Sequence, residues 1–265
     1  MPIVFTATVP HPPILIKEIG KDHLKKIKKT QTAFKTLEQE LYAAKPESIL
    51  IIAQHGNILA DAFNINLNAD YTGGFKEFGD FGIQFKFRSD YMTIQNIRAG
   101  DEMHKKVPIT LTSEEEIDYG FSVPLSLLTQ HLKNLPVVPI TTSGLDLQQH
   151  FDFGKFLNEQ LAKIDKRIAV IASADLSHKL TKDAPAGFSK DAKAFDEKII
   201  AAIKKNDVET LLKIKEKETA EVGEAEIKPI ITLLGIINSI NFRPEVLSYE
   251  GPFGVGYLLA NFKFS

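Results

Sequence analysis

The run SILIIA at residues 48–53 constrains the fold more than any other feature of this chain. It shows no alternation of apolar and polar residues, so a strand there has to be covered on both faces. RIAVIAS at 167–173 reads the same way, IVFTATV at 3–9 reads as a β-branched strand, and PVVPI at 136–140 is a shorter candidate. Helical periodicity fills the intervals. Leu24, Ile27, Phe34, Leu37 and Leu41 line one face of residues 21–44, with lysines opposite. Leu147, Phe151, Phe156, Leu157, Leu161 and Ile164 do the same for 146–164. Strand, helix and strand in this rhythm predict an α/β fold: a central, mostly parallel sheet flanked by helices in three layers, α/β/α.

Residues 61–110 depart from that rhythm. They are rich in Phe and Gly, and Ile83, Phe85 and Phe87 alternate with Gln84, Lys86 and Arg88. This predicts edge strands or a flap, with the Phe-rich segment 75–88 either capping an aromatic pocket or packing in the core. The final third predicts helices at about 190–216 and 227–239, then a closing strand within GVGYLLANFKF at 254–264. No repeat, low-complexity tract or linker interrupts the pattern, so residues 1–265 read as a single domain.

Composition narrows the function classes. A net charge of −2 lacks the basic excess that nucleic-acid binding needs. The chain has no cysteine, which excludes disulfides and thiolate metal sites. Any metal must be held by His, Asp, Glu or backbone oxygen. The opening MPIVFTATVP has neither the length nor the charge of a signal peptide, and no apolar run approaches about 18 residues. The expectation is a soluble cytoplasmic protein with no membrane partner.

Three of the seven histidines share a context. His11 follows the first strand by two residues, His55 follows Ala53 by two, and His178 follows Ser173 by five. In a parallel sheet all three fall on one edge, outside the carboxyl ends of the strands, where α/β folds build their sites. His23, His104, His131 and His150 read as ordinary surface or boundary residues. Neutral imidazole is the commonest metal ligand, so two of the three can be ligands and the third a proton carrier. A carboxylate would complete a facial triad, and AEVGEAEIKP at 220–229 is the best supply. Pro229 disfavours helix for Lys228 and fits the first turn of IITLLGIINSI. Glu224 and Glu226 then lie just before that helix or in its opening turn, where the helix dipole favours acidic residues in any case.

Four stretches, PHPPILIKEIG, AQHG, IASADLSHKL and LSYEGPFGVGYLLANF, resemble the catalytic, LigB-type subunit of class III extradiol ring-cleavage dioxygenases. The likeness is to the small-protein branch that also contains the Memo proteins. It runs from His11 to the C-terminus and is thinnest between about 60 and 110, and DLSHKL together with SYEGPFGVGY is its most specific part. The resemblance implies a mononuclear non-haem Fe(II) site, with Zn(II) or another divalent metal as the alternative. It implies a small aromatic diol and O2 as reactants, and a homodimer. His11 and His55 match the family's metal-ligating histidines, and His178 matches its acid/base histidine. The branch's Glu-Cys-Gly pattern places Glu224 on the acidic ligand; alignment on the glycine of TLLG places Glu226 there. Asp175 is a candidate to orient His178, because a histidine's second nitrogen usually needs a partner.

Two positions depart from the family pattern. Ala174 replaces a glycine in SADLSH, a small change. Tyr119, in IDYGFSVPL, stands where the family often has histidine; its hydroxyl can donate a hydrogen bond to an oxygenated substrate but cannot carry a proton near neutral pH. The resemblance thus implies an Fe(II) extradiol-type dioxygenase opening a catecholic ring, or a Memo-like metal-binding or adaptor protein that keeps the pocket without that reaction.

Overall fold

The computed structural model describes residues 2–104, 107–132 and 134–264. The first half of the chain comprises β1 (Ile3–Val9), α1 (Lys17–Gly20), α2 (Lys28–Ala44), β2 (Ser48–Ala53), β3 (Phe63–Asn66), β4 (Asp70–Phe75), β5 (Asp80–Arg88), α3 (Tyr91–His104), β6 (Ile109–Thr112), β7 (Glu116–Ile117) and α4 (Tyr119–Leu128). The second half comprises β8 (Val137–Thr141), α5 (Leu147–Leu161), β9 (Ile168–Ser173), α6 (Ala192–Lys205), α7 (Val208–Leu212), α8 (Glu216–Glu221), α9 (Lys228–Ile236), β10 (Phe242–Glu250) and β11 (Tyr257–Phe264).

The main sheet has the order β10-β11-β1-β9-β2-β8-β3-β6. Its centre, β1-β9-β2-β8, is parallel, and β11 and β3 flank it antiparallel. Every residue of β2, β8 and β9 is buried, as their unbroken apolar runs require. Alternate side chains then feed two cores. Ile49, Ile51, Ala169 and Ile171 pack under α2 and α4, whereas Leu50, Ile52, Val170 and Ala172 pack under α5, α6 and α9. This is the expected α/β/α sandwich. None of the described helices is long and apolar enough to cross a membrane.

Helix α9 leads directly out of the 220–227 segment, so its seating matters for the site. It packs against α5 at a glycine contact: a Cβ on Gly154 would lie 2.2 Å from the Thr232 carbonyl oxygen, and one on Gly235 2.2 Å from that of Phe151. Backbones this close fix α9 against the sheet. Pro229 sits in the first turn, but Lys228 is already helical, contrary to expectation. In an opening turn proline lacks only an N–H that no helix carbonyl would receive.

Other boundaries shift for local reasons. Residues 21–26 form a 3-10 turn, and α2 starts only at Lys28 after Ile27 leaves helical geometry. The helix expected over 190–216 breaks at Asn206, which adopts a left-handed conformation, and Asp207 caps α7 through the Thr210 amide. Segment 61–110 contributes β3 and β6 to the main sheet. Strands β4 and β5 pair antiparallel and join β7 in a second, three-stranded sheet, with Tyr71 opposite Phe87 and Gly73 opposite Phe85. That sheet is the flap. Phe78, between β4 and β5, is 41% exposed and meets the ring of Tyr119 edge-on at 5.1 Å.

Candidate metal centre

Strands β1, β2 and β9 are neighbours and parallel, so their carboxyl ends open onto one edge. His11 lies just beyond β1. Pro12 is extended (φ −65°) and Pro13 opens a 3-10 turn, so the chain on the far side of His11 has little freedom. His55 lies just beyond β2. Their Nε2 atoms are 3.1 Å apart. Glu226 completes the group: Oε1 is 2.9 Å from His55 Nε2 and Oε2 is 3.5 Å from His11 Nε2. Cis ligands each about 2.1 Å from one cation stand about 3 Å apart, so this spacing suits a common ion.

The surrounding hydrogen bonds decide which ring nitrogens carry protons. The Ser173 hydroxyl, at the end of β9, donates to the Gly120 carbonyl. Its oxygen must therefore accept from His11 Nδ1–H, 2.9 Å away. His55 Nδ1 likewise faces Asp118 Oδ1 at 3.0 Å, and that carboxylate also caps α4 by accepting from the Gly120 amide. Both rings thus turn an Nε2 lone pair toward the Glu226 carboxylate. Three acceptors facing one another are stable only with a cation or proton among them. Without a metal a proton serves: burial lowers the His55 pKa, but hydrogen bonds to Asp118 and Glu226 overcome this and raise it to about 10. His11 is also raised, Glu226 and Asp175 outweighing burial. Burial would raise Glu226, yet His11 and His55 hold it down at about 2. The donor set fits a divalent cation with N/O preference.

Asp175 takes a different place from the one expected. Its Oδ1 accepts from the His11 backbone N–H at 3.1 Å, its amide donates to Glu226 Oε2 at 3.2 Å, and its carbonyl accepts from the Glu226 amide at 2.9 Å. It braces two of the three metal-facing residues and makes no hydrogen bond to His178. The reason is direction: Asp175 lies two residues beyond β9 and its carboxylate points across to His11, just beyond β1. Among the described residues, His178 Nδ1 is buried without a hydrogen-bond partner. The His178 backbone is pinned by donation to the Val222 carbonyl, and Gly223, at φ +90°, packs closely beside it: a Cβ there would come 3.0 Å from His178 Cβ.

Of the two glutamates, the structure brings Glu226 and not Glu224 to the histidines. Glu224 is exposed and held at φ +61° by donation from its amide to the Thr219 carbonyl, which turns it away. Tyr119 opens α4 and stacks edge-on against both imidazoles, 4.6 Å from His55 and 5.7 Å from His11. Burial, then the nearby carboxylates, raise its pKa further above the ordinary value, so it stays protonated. A cavity of about 400 Å³ opens beside it, lined among others by Asp118, Phe121, Asn64, Glu77 and Gln84.

The remaining histidines divide. His23 and His131 are exposed, and the side chain of His104 lies outside the described residues. His150, expected at the surface or a boundary, is fully buried: its Nδ1 meets the Asp146 carbonyl and its Nε2 accepts from the Ser143 amide, while burial lowers its pKa to about 4. It is a neutral core residue that shapes the loop before α5. Sequence reasoning missed Ser173 and Asp118. The only signal available was their position, Ser173 as the polar last residue of an apolar strand and Asp118 beside the singled-out Tyr119.

Comparison with known proteins agrees with this architecture. The solved structure of an uncharacterised protein of Escherichia coli K12, JW3007, superposes with a TM-score of 0.67 at 14% identity, covering 97% of this chain and 99% of that one. Protein CA_C1420 of Clostridium acetobutylicum is 28% identical over 261 residues, 94% of this chain; the chain spans 55% of that relative's length. Residues 5–260 match the family model of the catalytic LigB subunit of aromatic ring-opening dioxygenase. The chain belongs to that LigB family.

Proposed function

We propose that this protein is a non-haem Fe(II)-dependent extradiol-type dioxygenase that opens the ring of a small catecholic substrate with O2. The observation that carries this reading is the triad His11, His55 and Glu226, buried but for the partly exposed His55, in a LigB-family chain, with both Nε2 lone pairs turned inward. Iron, when bound there, supplies adjacent open positions that bring diol and O2 together and pass electrons between them. Two imidazoles and one carboxylate are the ligands expected of such a centre.

The protein's own groups then have separate tasks. The cavity beside Tyr119 has the volume of a small-molecule site and receives the ring. Tyr119, always protonated, donates a hydrogen bond to a substrate oxygen. His178 takes a phenolic proton and holds it until the ring has opened. Asp175 contributes by bracing His11 and Glu226. Both oxygen atoms of O2 end in the product, a semialdehyde acid. The same reading extends to a single domain over 1–265, a cytoplasmic setting and a homodimer.

Anaerobically purified, Fe(II)-loaded protein should consume O2 with catechols and turn them yellow. His178→Ala should slow that turnover by about 10²–10⁴-fold, the usual contribution of a positioned acid/base. An unchanged rate would remove His178 from the mechanism. One observation favours a second reading: Tyr119 cannot relay a proton, which suits a Memo-like metal-binding or adaptor protein without dioxygenase turnover. Tight metal binding lost in His11→Ala, with no O2 uptake across a catechol panel, would select it. Zinc as the resident metal would point to hydrolase or lyase chemistry, because zinc has no redox change to offer O2.

A further inference from the structure

The sequence motifs around His178 and at 248–257 meet at a residue neither contains. Asp196, on α6, is completely buried, and no cation among the described residues pairs with it. Its Oδ1 accepts from the Ser177 amide at 3.0 Å and its Oδ2 from the Tyr249 hydroxyl at 2.6 Å. Gly256 closes the third side: a Cβ there would lie 2.2 Å from Asp196 Oδ2 and 3.1 Å from Leu176 Cβ. The specific residues of SYEGPFGVGY thus enclose one carboxylate, and that carboxylate grips the backbone one residue before His178.

Four other bonds of this loop run from backbone or hydroxyl donors to main-chain carbonyls. Leu176 donates to Gly256, Gly256 to Ser177, His178 to Val222, and the Ser177 hydroxyl to Val222. Two amides of the loop reach side chains instead: that of Asp175 reaches the Glu226 carboxylate, and that of Ser177 reaches Asp196 on another layer. A buried carboxylate without a counter-charge costs stability, whereas a neutral acceptor would satisfy one amide more cheaply. An ionised oxygen holds its donors in a shorter, more directional bond.

We infer that Asp196 is a positioning residue: clamped by Tyr249, it fixes the 175–178 backbone and with it the placement of His178. The catalytic part of this inference rests on the acid/base role proposed above for His178. The placement itself can be read without turnover.

The test is the rate of carbethoxylation at His178, mapped by mass spectrometry on the metal-free full-length protein, with His23 and His131 as exposed internal references. Asp196→Ala should raise the His178 rate by about tenfold, as expected for loss of a charge-assisted hydrogen bond, with the references unchanged. Asp196→Asn, which keeps an acceptor for the Ser177 amide but not the charge, should give a rate between those of Asp196→Ala and wild type. In iron-loaded enzyme the Ala variant should lower kcat with little change in KM. An unchanged His178 rate in folded Asp196→Ala overturns the inference, as does an equal rise at all the histidines, which would mean general loosening. Should Asp196→Ala not fold, Tyr249→Phe decides: a faster, His178-specific rate supports the clamp and an unchanged rate overturns it. If wild type proves inactive on catechols, the dioxygenase reading falls while the labelling result still decides the placement.

Discussion

The charge on Asp196 has a measurable cost. Burial lifts its carboxyl from the ordinary 3.8 to about 6, against hydrogen bonds from Tyr249 and Ser177 that pull the other way. The folded protein therefore holds this proton more tightly than the unfolded chain does. Below pH about 4 the group is protonated in both states and its contribution to stability is fully present; that contribution is lost as pH rises through about 6. A difference of roughly two pH units corresponds to about 3 kcal/mol. Asparagine at 196 has no proton to lose. The stability difference between Asp196→Asn and wild type should therefore move in favour of the variant by about 3 kcal/mol between pH 4 and pH 7.5. Urea unfolding of both proteins across that range measures it, and the difference between the two curves cancels the titration of all other groups. A difference that stays flat to within about 1 kcal/mol would refute the claim that Asp196 is buried, ionised and uncompensated at neutral pH.

Three further outcomes follow from the packing. Ser173→Ala leaves His11 Nδ1 without its acceptor and the Gly120 carbonyl without its donor, so Fe(II) affinity measured anaerobically by calorimetry should fall about 10–100-fold. Gly154→Ala forces a methyl into the Thr232 carbonyl at the α5–α9 contact and should lower unfolding free energy by about 1–3 kcal/mol, seen in the urea midpoint. Phe78→Ala removes the ring that covers Tyr119 from the flap, and should raise KM for a catechol more than it lowers kcat in an oxygen-electrode assay.

How much of this could be read from the chain depended on whether the signal was local. Strands 48–53 and 167–173 were legible because a strand buried on both faces has to be almost wholly apolar, and 3–9 by its β-branched residues; their parallel order then placed His11 and His55 on one edge. Helix α4 was not legible: YGFSVPLSLL is buried nearly all round and carries a proline, so it shows no amphipathic period. Strand β10 was hidden for the opposite reason, being half-exposed along most of its length. Within the site, the choice between Glu224 and Glu226 turned on the left-handed backbone of Glu224, a non-glycine in a conformation that sequence rarely announces. The roles of Ser173, Asp118 and Asp196 depend on pairings across more than 50 residues or between separate layers, and no periodicity records those.

The central claim is that His11, His55 and Glu226 hold a single divalent metal. Anaerobic Fe(II) titration of wild type, Glu226→Gln and Glu224→Gln tests it most directly. One iron per chain is expected in wild type and in Glu224→Gln with similar affinity, and binding at least about tenfold weaker in Glu226→Gln. Iron binding that survives in Glu226→Gln but is lost in Glu224→Gln would contradict it.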